Sequence, residues 1–122
     1  MLFRSTDGVP AFDLIQLGMG PEAHTASLFP HQLSLHERER LVMPVTVPKP
    51  PPPRLTFTPV LLNAATRVLF LVTGQDKAEA VQAVLEGDYQ ADEYPAQIVR
   101  PPRGSVTWML DEAAASRLTR RS

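Results

Sequence analysis

The run Arg67-Val-Leu-Phe-Leu-Val-Thr73 constrains this chain more than any other stretch. It is apolar without alternation, as in a strand buried on both faces of a parallel sheet. It enters Gly74, and the spacing of Ala78, Val81, Val84 and Leu85 predicts a helix from Asp76 to Glu86 with Gly87 as its stop. Phe12 to Leu17, between Pro10 and Gly18, and Val106 to Leu110, with the only tryptophan, Trp108, read as two more strands. Strands alternating with helical crossovers predict an α/β fold: a mostly parallel sheet with flanking helices. Such a sheet needs cover on both faces. Three to four strands with three helices make a small one, which implies part of a larger sheet.

The rest of the chain is punctuated by thirteen prolines, about twice the usual share. Five of the six positions from Pro48 to Pro53 are proline, interrupted by Lys49. This run is extended and joins neither a helix nor a central strand. It reads as a stiff connector with Lys49 and Arg54 at its ends, or else as a surface linker or a ligand for a proline-binding domain. Leu41 to Val47 reads as a strand that Pro44 confines to an edge or a bulge. Leu33 to Arg40 reads as a polar surface segment, and Leu55 to Thr58 as a brief extended piece. Thr25 to Phe29 reads as a short helix start. Thr58-Pro59 has the cap and first-turn residues of a helix through Leu61, Leu62 and Ala65. Ala96 to Val99 suits either helix or strand. Asp111 is placed to cap a terminal alanine-rich helix through Leu118, with Arg120 and Arg121 at its C-terminal end.

At 122 residues, 43% hydrophobic and 20% charged, the chain has the composition of one globular domain. A formal charge of −1 gives no overall attraction to nucleic acid or anionic lipid. The absence of cysteine excludes disulfides and thiolate metal sites. No apolar run approaches the roughly 20 residues of a membrane span. Residues 1–8 lack the apolar core of a secretory signal. The expectation is a cytoplasmic protein with no membrane or nucleic-acid partner.

The stretch Leu17-Gly-Met-Gly-Pro-Glu-Ala-His-Thr-Ala-Ser-Leu-Phe-Pro30 carries the chemistry. A strand ends, Gly18 and Gly20 allow a sharp turn, and His24 stands beyond the strand's carboxyl end. Neutral imidazole accepts a proton near pH 7, so His24 is a candidate general base, or else a residue that merely ties the loop to backbone. Glu22 is either its orienting carboxylate or a solvated loop charge. Ala23 is strained by roughly 1–2 kcal/mol if the turn needs a positive φ. Lys77, in the first turn of a helix, opposes the helix dipole. It is either a phosphate ligand or a solvated partner of Asp76 or Glu79. Arg54 offers the two-pronged grip that suits phosphate. His31 and His36, five apart, complete no metal site. Gly18-Met-Gly20 has no third glycine of a dinucleotide fingerprint, and no Walker sequence occurs. No metal and no cofactor is expected.

The Gly18–Pro30 stretch resembles the signature Gly-x-Gly-x-Asp-Gly-His-Thr-Ala-Ser-Leu-Phe-Pro of 6-phosphogluconolactonases, with Glu22 for Asp and Ala23 for Gly. Pro48-Lys-Pro-Pro-Pro-Pro-Arg-Leu-Thr56 is similar to a second signature, Pro-Lys-Pro-Pro-x-x-Arg-Ile-Thr. Phe70 to Ala80 looks like the corresponding segment of these enzymes and of the related glucosamine-6-phosphate deaminases. The resemblance implies a Rossmann-like fold, of which residues 12–122 form the C-terminal half and residues 1–11 an atypical lead-in. It implies hydrolysis of 6-phospho-D-glucono-1,5-lactone in the pentose phosphate pathway, with His24 as base and Arg54, Lys77 and Lys49 on the phosphate. Isomerases and deaminases of the superfamily carry a glutamate soon after the histidine, and Thr25 to Pro30 has none. Because family members are roughly twice this length, the alternative is an inactive half-domain or one that needs a homo-oligomer or a complementing N-terminal half.

Overall fold

The computed structural model describes residues 4–6, 8–46 and 54–119. The proline run with Lys49, and Arg120-Arg121, lie outside the described residues. The strands among them are β1 (Arg4–Thr6), β2 (Val9–Ala11), β3 (Ile15–Leu17), β4 (Val42–Val45), β5 (Arg54–Phe57), β6 (Arg67–Val72) and β7 (Ser105–Leu110). The α-helices are α1 (Pro59–Leu62) and α2 (Ala78–Glu86).

The apolar run becomes the central strand of a parallel sheet ordered β3-β6-β7. Leu17 lies opposite Phe70 on one side, and Phe70 opposite Trp108 on the other. The Phe70 and Trp108 rings stack with centroids 4.0 Å apart. Val68, Phe70 and Val72 are buried beneath α2, which contributes Ala80, Val81 and Val84 to the same core. Leu85, expected on this apolar face, is exposed, and Ala80 takes the buried place. The first turn of the expected helix tightens into a 3-10 turn over Gln75–Lys77, so α2 proper begins at Ala78. Its C-terminal carbonyls are satisfied by a buried amide. Gln97 Nε2 donates to the Ala83 and Asp88 carbonyls at 3.2 and 3.0 Å.

Only one face of the sheet is covered among the described residues. Leu71 is 46% exposed and Met109 53% exposed, and they lie opposite each other on the bare face. The sequence demands cover there, since a parallel strand this apolar is normally shielded on both sides.

The other pairings are antiparallel ribbons, β1 with β2 and β4 with β5. Pro44 sits in the two-stranded β4–β5 ribbon, opposite Leu55, consistent with its exclusion from a central strand. The pairing of β1 was not legible in the lead-in. The segment Leu33–Arg40 is less uniformly exposed than its polarity suggests, since a 3-10 turn at Leu33–His36 buries Ser34 and Leu35.

Three helical expectations are corrected. Thr25 to Phe29 is a tight turn rather than a helix start. Leu28 N–H donates to the Thr25 carbonyl at 2.9 Å, and Ala26 takes φ 51°, which a continuing helix forbids. Thr58 precedes α1 without capping it. Its buried hydroxyl donates instead to the Arg40 carbonyl at 2.6 Å, tying the helix to the ribbon, and the helix ends after one turn. The alanine-rich terminus forms successive turns. Asp111 does accept the Ala114 N–H at 2.8 Å, as a cap should. Further on, Gln82 and Glu86 of α2 bind the Arg117 carbonyl and the Thr119 N–H, and these side chains take the place of helical partners.

Glu37 shapes the entry to β4. Its carboxylate accepts from the Arg40 guanidinium at 2.9 Å and from the backbone N–H groups of Arg40 and Glu39. The Arg40 side chain, followed by these backbone donors, lowers the Glu37 pKa from 4.5 to about 2. A carboxyl depressed on folding stabilises the fold above its unfolded value, and that contribution disappears as pH falls from 4.5 to about 2. The expected NMR titration midpoint for Glu37 is therefore near 2. Glu37→Gln should flatten the acid limb of stability over that window. A midpoint at the ordinary carboxylate value would refute the turn.

Candidate active site

The loop after β3 is built by its own backbone. Gly20 N–H donates to the His24 carbonyl at 3.0 Å, and Ala23 N–H to the Gly20 carbonyl at 2.9 Å. This closes the loop on itself and brings residue 20 under residue 24. The buried Thr25 hydroxyl donates to the Gly18 carbonyl at 2.8 Å and holds the loop to the strand end. The Ala23 carbonyl accepts from Ala96 N–H at 2.9 Å, which fixes the far side.

Within this loop His24 Nδ1 pairs with Glu22 Oε1, and both side chains are partly buried. With Glu22 ionised, the pairing requires the proton on Nδ1 and leaves the lone pair on Nε2, the tautomer of a general base. The longer glutamate therefore makes the contact for which the sequence suggested it. His24 lines an open cleft of about 470 Å³ running along Gln16 to Gly20 at the carboxyl end of β3. That edge of a parallel sheet is where α/β proteins bind ligands.

The two glycines differ in what they do. At Gly18 an added Cβ would meet nothing, and the backbone there is not left-handed, so the turn does not depend on that glycine. At Gly20 an added Cβ would collide with the His24 imidazole and the Glu22 carboxylate. Gly20→Ala is expected to displace the pair while leaving the fold intact. Any catalysis that depends on the His24–Glu22 pair should fall by roughly a hundredfold, the scale of a 1 Å misplacement, with little change in thermal midpoint. Equal activity in the folded variant would show that the pairing is unimportant.

Ala23 does take the left-handed conformation, at φ 66°, and it is fully buried. The strain of roughly 1–2 kcal/mol is offset by a buried methyl of about 0.8 kcal/mol. Glycine also adds about 0.4–1 kcal/mol of unfolded-state entropy. The three largely cancel, so Ala23→Gly should change stability by less than about 1 kcal/mol in denaturant titration. A gain above about 2 kcal/mol would mean that the loop is under more strain than this.

The other candidates lie on other elements. Arg54 opens β5, opposite Val45. Its ribbon is tied to the His24 loop, where Ser27 N–H donates to Thr56 Oγ1 at 3.0 Å. Lys77 follows β6 in the 3-10 turn, beyond the same carboxyl edge of the sheet that carries His24. Neither lines the His24 cleft. Lys49 lies outside the described residues. His31 and His36 pair with Glu93 and Asp92 at 3.0 and 2.8 Å, pinning two loops together. Arg100 lies 4.1 Å over the Tyr89 ring. Among the described residues no group of three or more His, Asp or Glu is arranged to hold a metal. None of their helices is long and apolar enough to cross a membrane.

Sequence reasoning missed Phe29. Its ring stacks on the His24 imidazole at 4.2 Å, with 12° between the planes. Nothing in the spacing of residues 24 and 29 signals this, because the intervening tight turn brings them together.

The family model for glucosamine-6-phosphate isomerases/6-phosphogluconolactonase matches residues 2–108. Human 6-phosphogluconolactonase is 49% identical over 114 residues, covering 93% of this chain and 44% of the human protein. A Nostoc 6-phosphogluconolactonase is 42% identical, covering 96% of this chain and 48% of its own length. The solved structure of 6-phosphogluconolactonase from Trypanosoma brucei superposes with a TM-score of 0.80 at 31% identity, covering 91% of this chain and 44% of that one. The chain thus spans under half the length of these relatives. With a parallel α/β sheet and a family match over most of its residues, the chain belongs to the glucosamine-6-phosphate isomerase/6-phosphogluconolactonase family.

Proposed function

We propose that this chain supplies the base and part of the phosphate grip for hydrolysis of 6-phospho-D-glucono-1,5-lactone to 6-phosphogluconate, a step of the pentose phosphate pathway. The observation that carries this reading is the pairing of His24 Nδ1 with Glu22 at the carboxyl end of β3. Nε2 takes a proton from water as the water oxygen attacks the lactone carbonyl. The ring C–O bond then breaks, and the proton passes to the departing ring oxygen. Water and lactone are consumed and the open acid is formed, with no redox partner. Glu22 holds the ring and stabilises the imidazolium that forms in between. Arg54, Lys77 and Lys49 grip the phosphate, Arg54 through paired hydrogen bonds. The lack of a glutamate in Thr25 to Pro30 favours lactone hydrolysis over sugar-phosphate isomerisation or deamination.

A second reading concerns what the chain needs in order to act. The bare sheet face at Leu71 and Met109 favours a half-domain that works only when its sheet is completed. Residues 12–122 then form the C-terminal half of the family's domain, with residues 1–11 as a lead-in. The complement is the remaining half of that domain, and a second copy of this chain is the competing occupant.

The test is the hydrolysis rate of fresh lactone with the chain alone, and with the chain mixed with the part of the human relative that it does not match. Both rates are compared with the spontaneous reaction. Acceleration by the chain alone supports independent catalysis. Acceleration only in the mixture supports the half-domain. A folded chain inert in both would remove the lactonase reading.

A further inference from the structure

A histidine that serves as base must present one particular nitrogen. The Cβ–Cγ torsion of histidine is broad and roughly two-fold, so an unrestrained ring exchanges its two edges. In this loop the ring is held from three directions. Glu22 meets Nδ1, and Gly20 lies so close to the Nδ1–Cε1 edge that a Cβ there would collide with it. On the flat side the Phe29 ring lies parallel at 4.2 Å. To flip, the imidazole must pass through a perpendicular orientation, and a parallel ring at contact distance blocks that sweep.

Phe29 is itself fixed. It is 2% exposed and belongs not to the main core but to a small second cluster with Val45 and the partly buried Met43. Both of those belong to β4. The Thr56 hydroxyl of β5 holds Ser27 N–H two residues before Phe29. The aromatic ring is therefore seated between the catalytic loop and the ribbon, where a purely space-filling residue would need no parallel alignment with a neighbouring imidazole.

We propose that Phe29 is a positioning residue for His24, holding the imidazole in the one orientation and tautomer in which Nδ1 meets Glu22. The functional consequence rests on the reading of His24 as the base. The orientation itself does not, so the two can fail separately.

The test compares the unaltered chain with Phe29→Leu, Phe29→Tyr and, as a remote core control, Val81→Ala. The first readout is the ¹⁵N and ring-proton NMR of His24. In the unaltered chain the nitrogen shifts should report a single Nδ1–H tautomer, and the ring protons should be moved upfield by the Phe29 ring. In Phe29→Leu the upfield shift should vanish and the nitrogen shifts should move toward an averaged tautomer. Phe29→Tyr, which keeps a ring, should retain both signatures. Val81→Ala, which loses buried volume elsewhere, should leave both unchanged.

The second readout is lactone hydrolysis, by whichever of the chain or the completed mixture is active. In Phe29→Leu kcat should fall roughly tenfold or more while KM changes less than about threefold, as expected for a misoriented base. A folded Phe29→Leu with the single tautomer intact would overturn the proposal. So would a Tyr variant that loses it, a Val81→Ala variant that mimics Phe29→Leu, or an effect confined to KM. If no sample hydrolyses the lactone, the functional reading fails and the NMR readout still decides the positioning role.

Discussion

His24→Ala should abolish the part of lactone hydrolysis that exceeds the spontaneous rate, with a loss of about 10²–10⁴ in kcat. A positioned base typically contributes that much, and no other imidazole lies in the cleft. His31 and His36 are bound to Glu93 and Asp92. The side chain is only partly buried and lies in a loop closed by backbone hydrogen bonds, so the variant should fold with nearly unchanged stability. Glu22→Gln is the companion. It preserves shape but exchanges a carboxylate for an amide, which no longer stabilises the imidazolium, so kcat should fall while KM holds. Both are read from initial rates above the spontaneous background, using the chain in whichever form is active. Full activity in folded His24→Ala would assign the base elsewhere.

The largest stability effect is expected at the centre of the sheet. Phe70 is fully buried on β6, between Leu17 and Trp108, and stacks on the latter. Phe70→Ala removes this volume from a position where neighbours on both sides are strand backbone and cannot collapse inward. A loss of about 3–5 kcal/mol is expected. Domains of this size hold only about 5–15 kcal/mol in total. Thermal unfolding should therefore shift down by more than about 10 °C. Leu71, the next residue along, points to the bare face and is 46% exposed. Leu71→Ala should cost less than about 1 kcal/mol in the chain alone. If the half-domain reading holds, the same substitution should weaken association with the complementing half. If Leu71→Ala proves as costly as Phe70→Ala, that face is covered in solution by a second copy.

Much of the fold was legible because it rests on short-range pattern. The unbroken apolar run of β6 and the helical spacing of Ala78, Val81 and Val84 each demand a burial geometry that only strand and helix supply. Pro44 confined its strand to a ribbon because it lacks the N–H that a second neighbour needs. The candidate site was legible as a string of residues, with Glu22 left open as the partner of His24 or as a solvated charge; the structure pairs the two.

What failed to show was every feature decided by a partner far along the chain. The terminal residues have the composition of a helix, yet Gln82 and Glu86 of α2 bind their backbone groups and hold them as turns. Thr58 has the identity of a cap, yet the Arg40 carbonyl lies within reach and takes its hydroxyl. Leu85 has the spacing of a core residue, yet it is exposed and Ala80 is buried in its stead.

By itself the sequence determined the parallel sheet, the helix that covers it and the identity of the loop that carries His24. Each of these follows from burial periodicity and turn residues within about a dozen positions. The tertiary structure alone decided which way the imidazole faces and how it is held. That depends on Gly20 leaving room, Glu22 reaching Nδ1 and Phe29 lying parallel on a ring five residues away. It also decided which face of the sheet stays bare, because cover is a property of what packs against a strand and not of the strand.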